Sequence, residues 1–284
     1  MVTPFFLDSA GGRIHCTLFH PTNPTPGAPG LVFLPPWAEE ANKARRTMAR
    51  LGHSLAGAGF RTLVPDFYGT GDSEGDFVEA RWELWKDNVR DARDRLRDRE
   101  AGPVYLGGLR LGGLIAAETA REVAEPPPGL LLWSPVTNGR QTLRQFLRLR
   151  LAAGLGVGGD TSQERTADLL ERLEAGESLE IAGYELHPGL AGALEARSLQ
   201  GLLPPPETEV IWLDVVSDPE AGPPPASRSV VEAWQGQGRS VRHRGIVGDP
   251  FWATQELVDA PALVEASMGF LKRLEDAEVP GHAP

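Results

Sequence analysis

The chain has a single cysteine, Cys16, in 284 residues, so it can form no internal disulfide, and Cys-based zinc or iron–sulfur sites are excluded. Lysine is nearly as scarce. It occurs only at positions 43, 86 and 272, and 25 of the 28 basic residues are arginine, which we read as coding bias rather than chemistry. Positive charge is in the minority: 39 acidic residues give a formal net charge of −11, a poor match to nonspecific DNA or RNA binding. Long apolar runs are missing too. Stretches such as Gly129 to Trp133 fall far short of the ~20 residues that cross a bilayer. The N-terminus lacks a basic region followed by an apolar stretch, so no secretory signal is read. A cytoplasmic protein is expected, with no membrane span and no nucleic-acid partner; its oligomeric state is left open.

What remains is ordinary globular composition, 41% hydrophobic and 24% charged. A chain of this length hides about 75% of its unfolded surface, enough for a large core. Short apolar runs alternate with helical patterns. Leu31–Leu34, Thr62–Val64, Val104–Leu106, Leu130–Trp133 and Val210–Leu213 each end in Pro, Gly, Ser or Asp, and Ser240–Arg244 leads into Ile246–Val247. Uninterrupted runs of this length suit strands buried on both faces of a parallel sheet. Trp82, Trp85, Val89, Ala92 and Leu96 recur at helical spacing, with Asp91 placed to pair with Arg95 on the opposite face. Asp259 is placed to cap a C-terminal helix with Pro261 in its first turn. Phe5–Asp8 and Arg13–Leu18, joined by Gly11-Gly12, read as an antiparallel hairpin at the sheet edge.

The fold class expected is therefore α/β: a mostly parallel, doubly wound sheet with an N-terminal antiparallel hairpin. Residues 1–138 and 204–278 form its core. Residues 139–203 offer no strand of the main sheet but carry helical patterns around Leu143–Leu151, Leu169–Leu173 and Leu190–Ala196, and read as a helical lid insertion. Residues 279–284 read as a frayed tail.

One segment decides the chemistry. Tyr105 to Ala116 reads as strand, tight turn, helix, with Gly108 and Gly112 spaced as in the nucleophile elbow G-x-S-x-G. The apex is Arg110, a permanent cation with no nucleophilic lone pair. Asp66–Ser73 matches the D-x-x-G-x-G-x-S loop, and Leu34–Trp37 takes the place of the oxyanion loop, so the N–H groups of Trp37 and Leu111 are candidate oxyanion donors. On these features the chain resembles the α/β-hydrolase superfamily over most of its length. Pro35–Arg46, Gly108–Gly112 and Val247–Trp252 further resemble the second of the two α/β-hydrolases associated with exosortase A systems. That group accompanies bacterial exopolysaccharide synthesis genes and tends to carry Arg at the elbow. The resemblance implies a hydrolase label without an assigned substrate.

In the superfamily, the acid follows the penultimate strand, where Asp218 lies and Asp214 is the alternative. The base His follows the last strand, but Gly248–Trp252 contains none, and His243 within the strand reads as structural. Gly71–Gly75 also spells G-x-S-x-G but follows a loop rather than a strand and reads as a decoy; Gly154–Gly159 mimics a dinucleotide fingerprint but follows no strand and reads as a flexible hinge in the insertion. Histidine spacing suggests no metal site, and no cofactor is expected. A buried Arg110 needs a partner, and Glu39, Glu40, Asp72, Asp218 and Asp249 are the candidates.

Two functions remain open. In one, Glu39, Glu40, Asp218 or Asp249 activates water while Arg110 binds an anionic acyl or sugar-derived substrate or stabilises an oxyanion. In the other, the protein is a non-catalytic relative that binds a ligand or partner. In either case the expected pocket is lined by Trp37, Leu111, Asn42, Phe251 and Trp252.

Overall fold

The structure is a computed structural model that describes residues 1–97, 102–154, 164–218, 220 and 222–278. In chain order its elements are β1 (Val2–Ser9), β2 (Gly12–Phe19), β3 (Gly30–Leu34), α1 (Ala38–Gly57), β4 (Arg61–Pro65), α2 (Trp82–Leu96), β5 (Val104–Leu109), α3 (Leu111–Glu122) and β6 (Gly129–Trp133). An inserted stretch follows with α4 (Gly139–Gly154), α5 (Thr166–Glu174), β7 (Leu179–Ile181), β8 (Tyr184–Leu186) and α6 (Pro188–Glu195). The core then resumes with β9 (Glu209–Val216), α7 (Pro225–Gly236), β10 (Val241–Val247) and α8 (Pro261–Glu278).

Eight strands form one sheet in the order β1-β2-β4-β3-β5-β6-β9-β10. The β1–β2 and β2–β4 pairs are antiparallel and every other pair is parallel, as the edge hairpin and buried apolar runs require. Alternation along the central strands divides the core into two layers. Val32, Leu106, Leu132 and Trp212 pack toward α2, α3, α7 and the insertion. Phe33, Leu109, Trp133 and Leu213 pack toward α1 and α8. Each fully buried side chain of this kind contributes about 1.5–3 kcal/mol.

Several local readings change. The insertion is not purely helical, because β7 and β8 pair as a small antiparallel hairpin. These strands have three residues each, too few to show a period. Helix α7 starts at Pro225, inside a proline run that resembles a loop; proline fits a first helical turn, where its missing N–H is not needed. Asp91 does not answer Arg95: it accepts from Ser9 Oγ at 2.6 Å and Ala10 N at 3.3 Å, tying α2 to the hairpin, while Arg95 lies over the Phe5 ring. Asp259 pairs with Arg46 and Arg50 at 3.0 and 2.8 Å, joining the start of α8 to α1. Most of the Gly154–Gly159 stretch and the tail 279–284 lie outside the described residues.

A charged cluster fastens the insertion to the core. Lys86 Nζ, on a side chain only 4% exposed, lies 2.7 Å from Glu83, 3.2 Å from Glu118 and 2.8 Å from Glu122. Burial alone would lower its pKa, but these carboxylates outweigh it and hold the ammonium above its ordinary value. Arg197, at the end of the insertion, donates from Nε to Glu118 at 3.0 Å and from Nη2 to Glu83 at 3.0 Å, and lies 4.7 Å from the centroid of Trp82.

Cys16 is buried in β2, and burial pushes its thiol up to about 12. The thiolate is the reactive form, so native protein should not react with Ellman's reagent at mildly alkaline pH and should react once unfolded. Rapid stoichiometric labelling of native protein would show that β2 opens to solvent.

Candidate functional site

Three adjacent central strands end in the same unusual way. After β3, β5 and β6 come Ala38, Arg110 and Ser134, with φ of 50°, 53° and 38°. Ala182, in the β7–β8 turn, is the fourth positive-φ residue other than glycine among the described residues. Such conformations cost of order 1–3 kcal/mol each and persist where surrounding structure over-determines them.

At the β5–α3 turn that over-determination is visible. A Cβ on Gly108 would lie 2.4 Å from the carbonyl carbon of Gly112, and one on Gly112 would lie 2.5 Å from the carbonyl oxygens of Leu34 and Pro35. The Arg110 N–H donates to Trp133 O at 3.0 Å, and its carbonyl accepts from Gly113 N and Val136 N at 3.1 and 3.0 Å. With φ 53° and ψ −116°, the turn holds the side chain at position 110 above the carboxyl ends of the strands. This is the geometry of a nucleophile elbow, occupied by a guanidinium.

Arg110 is held from three sides. Its Nε donates to Glu40 Oε1 at 3.3 Å, its Nη1 donates to Ser134 O at 3.1 Å, and its guanidinium carbon lies 5.5 Å from the Trp252 ring centroid. The Ser134 carbonyl is presented by a turn fixed by Ser134 N to Leu213 O and by Val215 N to Ser134 Oγ, at 2.8 and 2.9 Å. Nη2 has no partner among the described residues, and 21% of the side chain remains exposed. Of the five carboxylates that could pair with Arg110, Glu40 makes the contact. It sits in the first turn of α1, where the helix dipole favours an anion. Burial nevertheless raises the pKa of Glu40, and Arg110 only partly offsets that effect.

Two cavities meet at Arg110 and also share Thr142 and Gln145 of α4. The smaller, about 140 Å³, has an apolar wall of Trp37, Ala38, Phe146 and Leu149 facing Glu39 and Glu40. The larger, about 240 Å³, is mixed and includes Ser134, Gln141, Asp214, Ser227 and Trp252. A wider groove of about 730 Å³ lies elsewhere, between β10 and α8, and contains none of the candidate residues.

The other candidates separate. Trp37 is buried with its ring 4.5 Å from Phe146, and its N–H and that of Leu111 have no backbone acceptor among the described residues. Asn42 is exposed, lies near Tyr184 of the insertion and lines neither cavity. Phe251 is fully buried against Trp133 and Trp252, so it packs the core, while Trp252 lines the larger cavity. Asp218 is exposed and accepts from Glu220 N at 2.9 Å; Asp249 is exposed, and its carbonyl accepts from Phe251 N. Neither lines a cavity with Arg110. Ser73 is occupied in holding its loop: it donates to Asp66 O and accepts from His15 N, both at 2.8 Å.

Sequence reasoning missed one pair. Asp214 Oδ2 lies 2.7 Å from His243 Nε2, with both side chains nearly buried. In the parallel register Gly245 faces Asp214 and His243 faces Trp212, so the two polar residues are diagonal neighbours on one face. Their signal was present as Asp214 ending the apolar Val210–Leu213 run and His243 alternating inward with Val241 between two outward arginines. His15, Asp66 and Asp72 come close enough together to share a cation, but the Asp66 carboxylate already faces Arg45 at 3.3 Å and accepts from Asp72 N at 3.1 Å.

Comparison with known proteins agrees with this architecture. The profile of the family described as serine aminopeptidase, S33, matches residues 9–202. No curated protein matches the sequence. Among solved structures, the chain resembles Est1E from Butyrivibrio proteoclasticus, with a TM-score of 0.68 and 17% identity, covering 96% of this chain and 99% of that one. It resembles a thermostable carboxyl esterase from Bacillus coagulans with a TM-score of 0.64 and 14% identity, covering 96% and 98%. A serine hydrolase without a lid from Xanthomonas campestris, XC6422, follows at 0.56 and 12%, covering 99% and 97%. At these identities the likeness establishes a shared fold.

Glu40 makes the site's charge testable. Its folded-state pKa lies above the ordinary 4.5, so its contribution to stability is complete at low pH and is lost as pH rises through the shifted value. Glu40→Gln lacks this loss. The melting-temperature difference, wild type minus variant, should therefore shrink or reverse from about pH 4 to about pH 7. Thermal melts across that range check it, and a difference that grows with pH would mean that Arg110 outweighs burial.

Proposed function

The chain belongs to the serine aminopeptidase S33 family of α/β-hydrolases, and from that membership we propose that it binds a small anionic molecule at Arg110 in place of serine acyl transfer. The observation that carries this reading is the partial pairing of Arg110. Glu40 and the Ser134 carbonyl engage Nε and Nη1, while Nη2 is without a partner among the described residues where the two cavities meet. A guanidinium cannot attack a carbonyl carbon, but it matches a carboxylate or phosphate with paired donors. The apolar wall of Trp37, Phe146 and Leu149 in the smaller cavity suits a short hydrocarbon group attached to that anion. Helix α4 contributes Thr142 and Gln145 to both cavities, so residues 139–203 act as the lid in this proposal.

A second reading keeps catalysis. Glu40 is a carboxyl with a raised pKa beside a cation, the combination a general base requires. Water deprotonated by Glu40 would attack a bound ester, with Arg110 and the Trp37 and Leu111 N–H groups facing the developing oxyanion. Glu39 borders the same cavity, whereas Asp218 and Asp249 would need to move to take part. The likeness of Pro35–Arg46 and Gly108–Gly112 to exosortase-associated hydrolases supports placing the ligand in cytoplasmic steps of exopolysaccharide synthesis.

Fluorophosphonate probes should leave the purified protein unlabelled, and butyrate or inorganic phosphate should bind in calorimetry with an affinity that Arg110→Ala lowers at least tenfold. Arg110→Lys should restore little of it, because an ammonium lacks the planar fork. Stoichiometric labelling of any serine, Ser73 included, would overturn the proposal, as would anion binding indifferent to Arg110.

A further inference from the structure

The larger cavity specifies more than charge. Resting on the reading of Arg110 as an anion receptor, we propose that this cavity holds an anionic monosaccharide, with its carboxylate or phosphate on Arg110 and its hydroxyls on Asp214, Ser227 and the amides of α4.

Four observations support this. The cavity carries a cation and a carboxylate together, because Asp214 lines it with Arg110. Asp214 is only 2% exposed and its Oδ2 is bound to His243, which leaves Oδ1 as an acceptor with no protein donor among the described residues. A plain anion would leave Asp214 Oδ1 without a donor, and a neutral sugar would leave Nη2 of Arg110 without an anionic acceptor. A ligand that bears an anion at one end and O–H donors at the other meets both groups.

Ser227 is the second observation. It is 4% exposed, lines the cavity, and its hydroxyl has no hydrogen-bond partner among the described residues. It lies in the first turn of α7, whose leading N–H groups favour negative charge nearby. Third, α4 presents the side-chain amides of Gln141 and Gln145, neither with a side-chain partner among the described residues. Amides and hydroxyls both donate and accept, as hydroxyls do; an ammonium group could use only the acceptors. This favours a sugar over an amino acid. Finally, the volume of about 240 Å³ lies below the ~300–1,000 Å³ typical of pockets for drug-sized ligands, which limits the occupant to about one ring. Trp252 supplies an apolar wall for the ring's C–H face.

Calorimetry on the full chain with glucuronate, glucose 6-phosphate, glucose, γ-aminobutyrate and butyrate tests the proposal. Glucuronate or glucose 6-phosphate should bind at least tenfold more tightly than butyrate or glucose, and whichever is tighter identifies the anion. Gln141→Ala, on an exposed helix face and lining only the larger cavity, should weaken the sugar anion at least tenfold and leave butyrate unchanged. Ser227→Ala should do the same, and Asp214→Asn, where thermal melts show it folded, should weaken the sugar anion while leaving butyrate no weaker. If butyrate binds through Arg110 and neither sugar anion is tighter, this inference fails and the anion-receptor reading stands. If γ-aminobutyrate is the tightest, the occupant is a zwitterion and the inference fails. If no anion binds, both fail.

Discussion

The close approach of β5, α3 and the end of β3 is the constraint on which the rest of the site depends. Gly108 and Gly112 allow backbone to meet backbone where any Cβ would collide, and that contact sets the angle of the turn. The turn then forces position 110 to positive φ and holds its side chain over the strand ends. Ala38 and Ser134, also at positive φ, close the arrangement on either side. One brings Glu40 within reach of the guanidinium, and the other presents a carbonyl to it. The anchoring of Arg110 is thus a product of backbone geometry at three neighbouring strand ends more than of any one side-chain pair.

The two main charge clusters differ in completeness, and the difference has functional meaning. Around the buried Lys86 and the partly exposed Arg197 the carboxylates of Glu83, Glu118 and Glu122 approach from several directions, leaving a tie between the core and the inserted segment. Around Arg110 there is one carboxylate, at a longer distance, and one carbonyl. A fully satisfied network rigidifies; a partly satisfied one has capacity left for a ligand. The same chain therefore uses arginine as a fastener at Arg197 and as an open contact at Arg110.

Much of the fold was legible because parallel strands buried on both faces leave uninterrupted apolar runs, and all five such runs became strands of the sheet, as did the more polar Ser240–Val247 segment at its edge. The elbow was legible because glycine spacing reports backbone proximity directly. The lost features depend on information that local patterns do not carry. The β7–β8 hairpin is too short for periodicity, and α7 begins with the residues that normally signal a loop. Among the carboxylates, the choice of Glu40 over Glu39 rests on which face of α1 turns toward the strand ends. Phe251 and Trp252 are adjacent and equally aromatic, yet one fills the core and the other lines the cavity. The Asp214–His243 pair needed strand register, which fixes neighbours only after the sheet order is known.

The strained turn also bears on how such a protein can change over generations. Its shape is set by glycines and by main-chain bonds to Trp133, Gly113 and Val136, none of which involve the side chain at the apex. The apex residue can therefore be exchanged while the scaffold that positions it stays fixed. A lineage can trade a nucleophile for a cation, or the reverse, at one codon without renegotiating the fold. The costly part of the machinery is inherited whole, and the chemistry above it is the replaceable part.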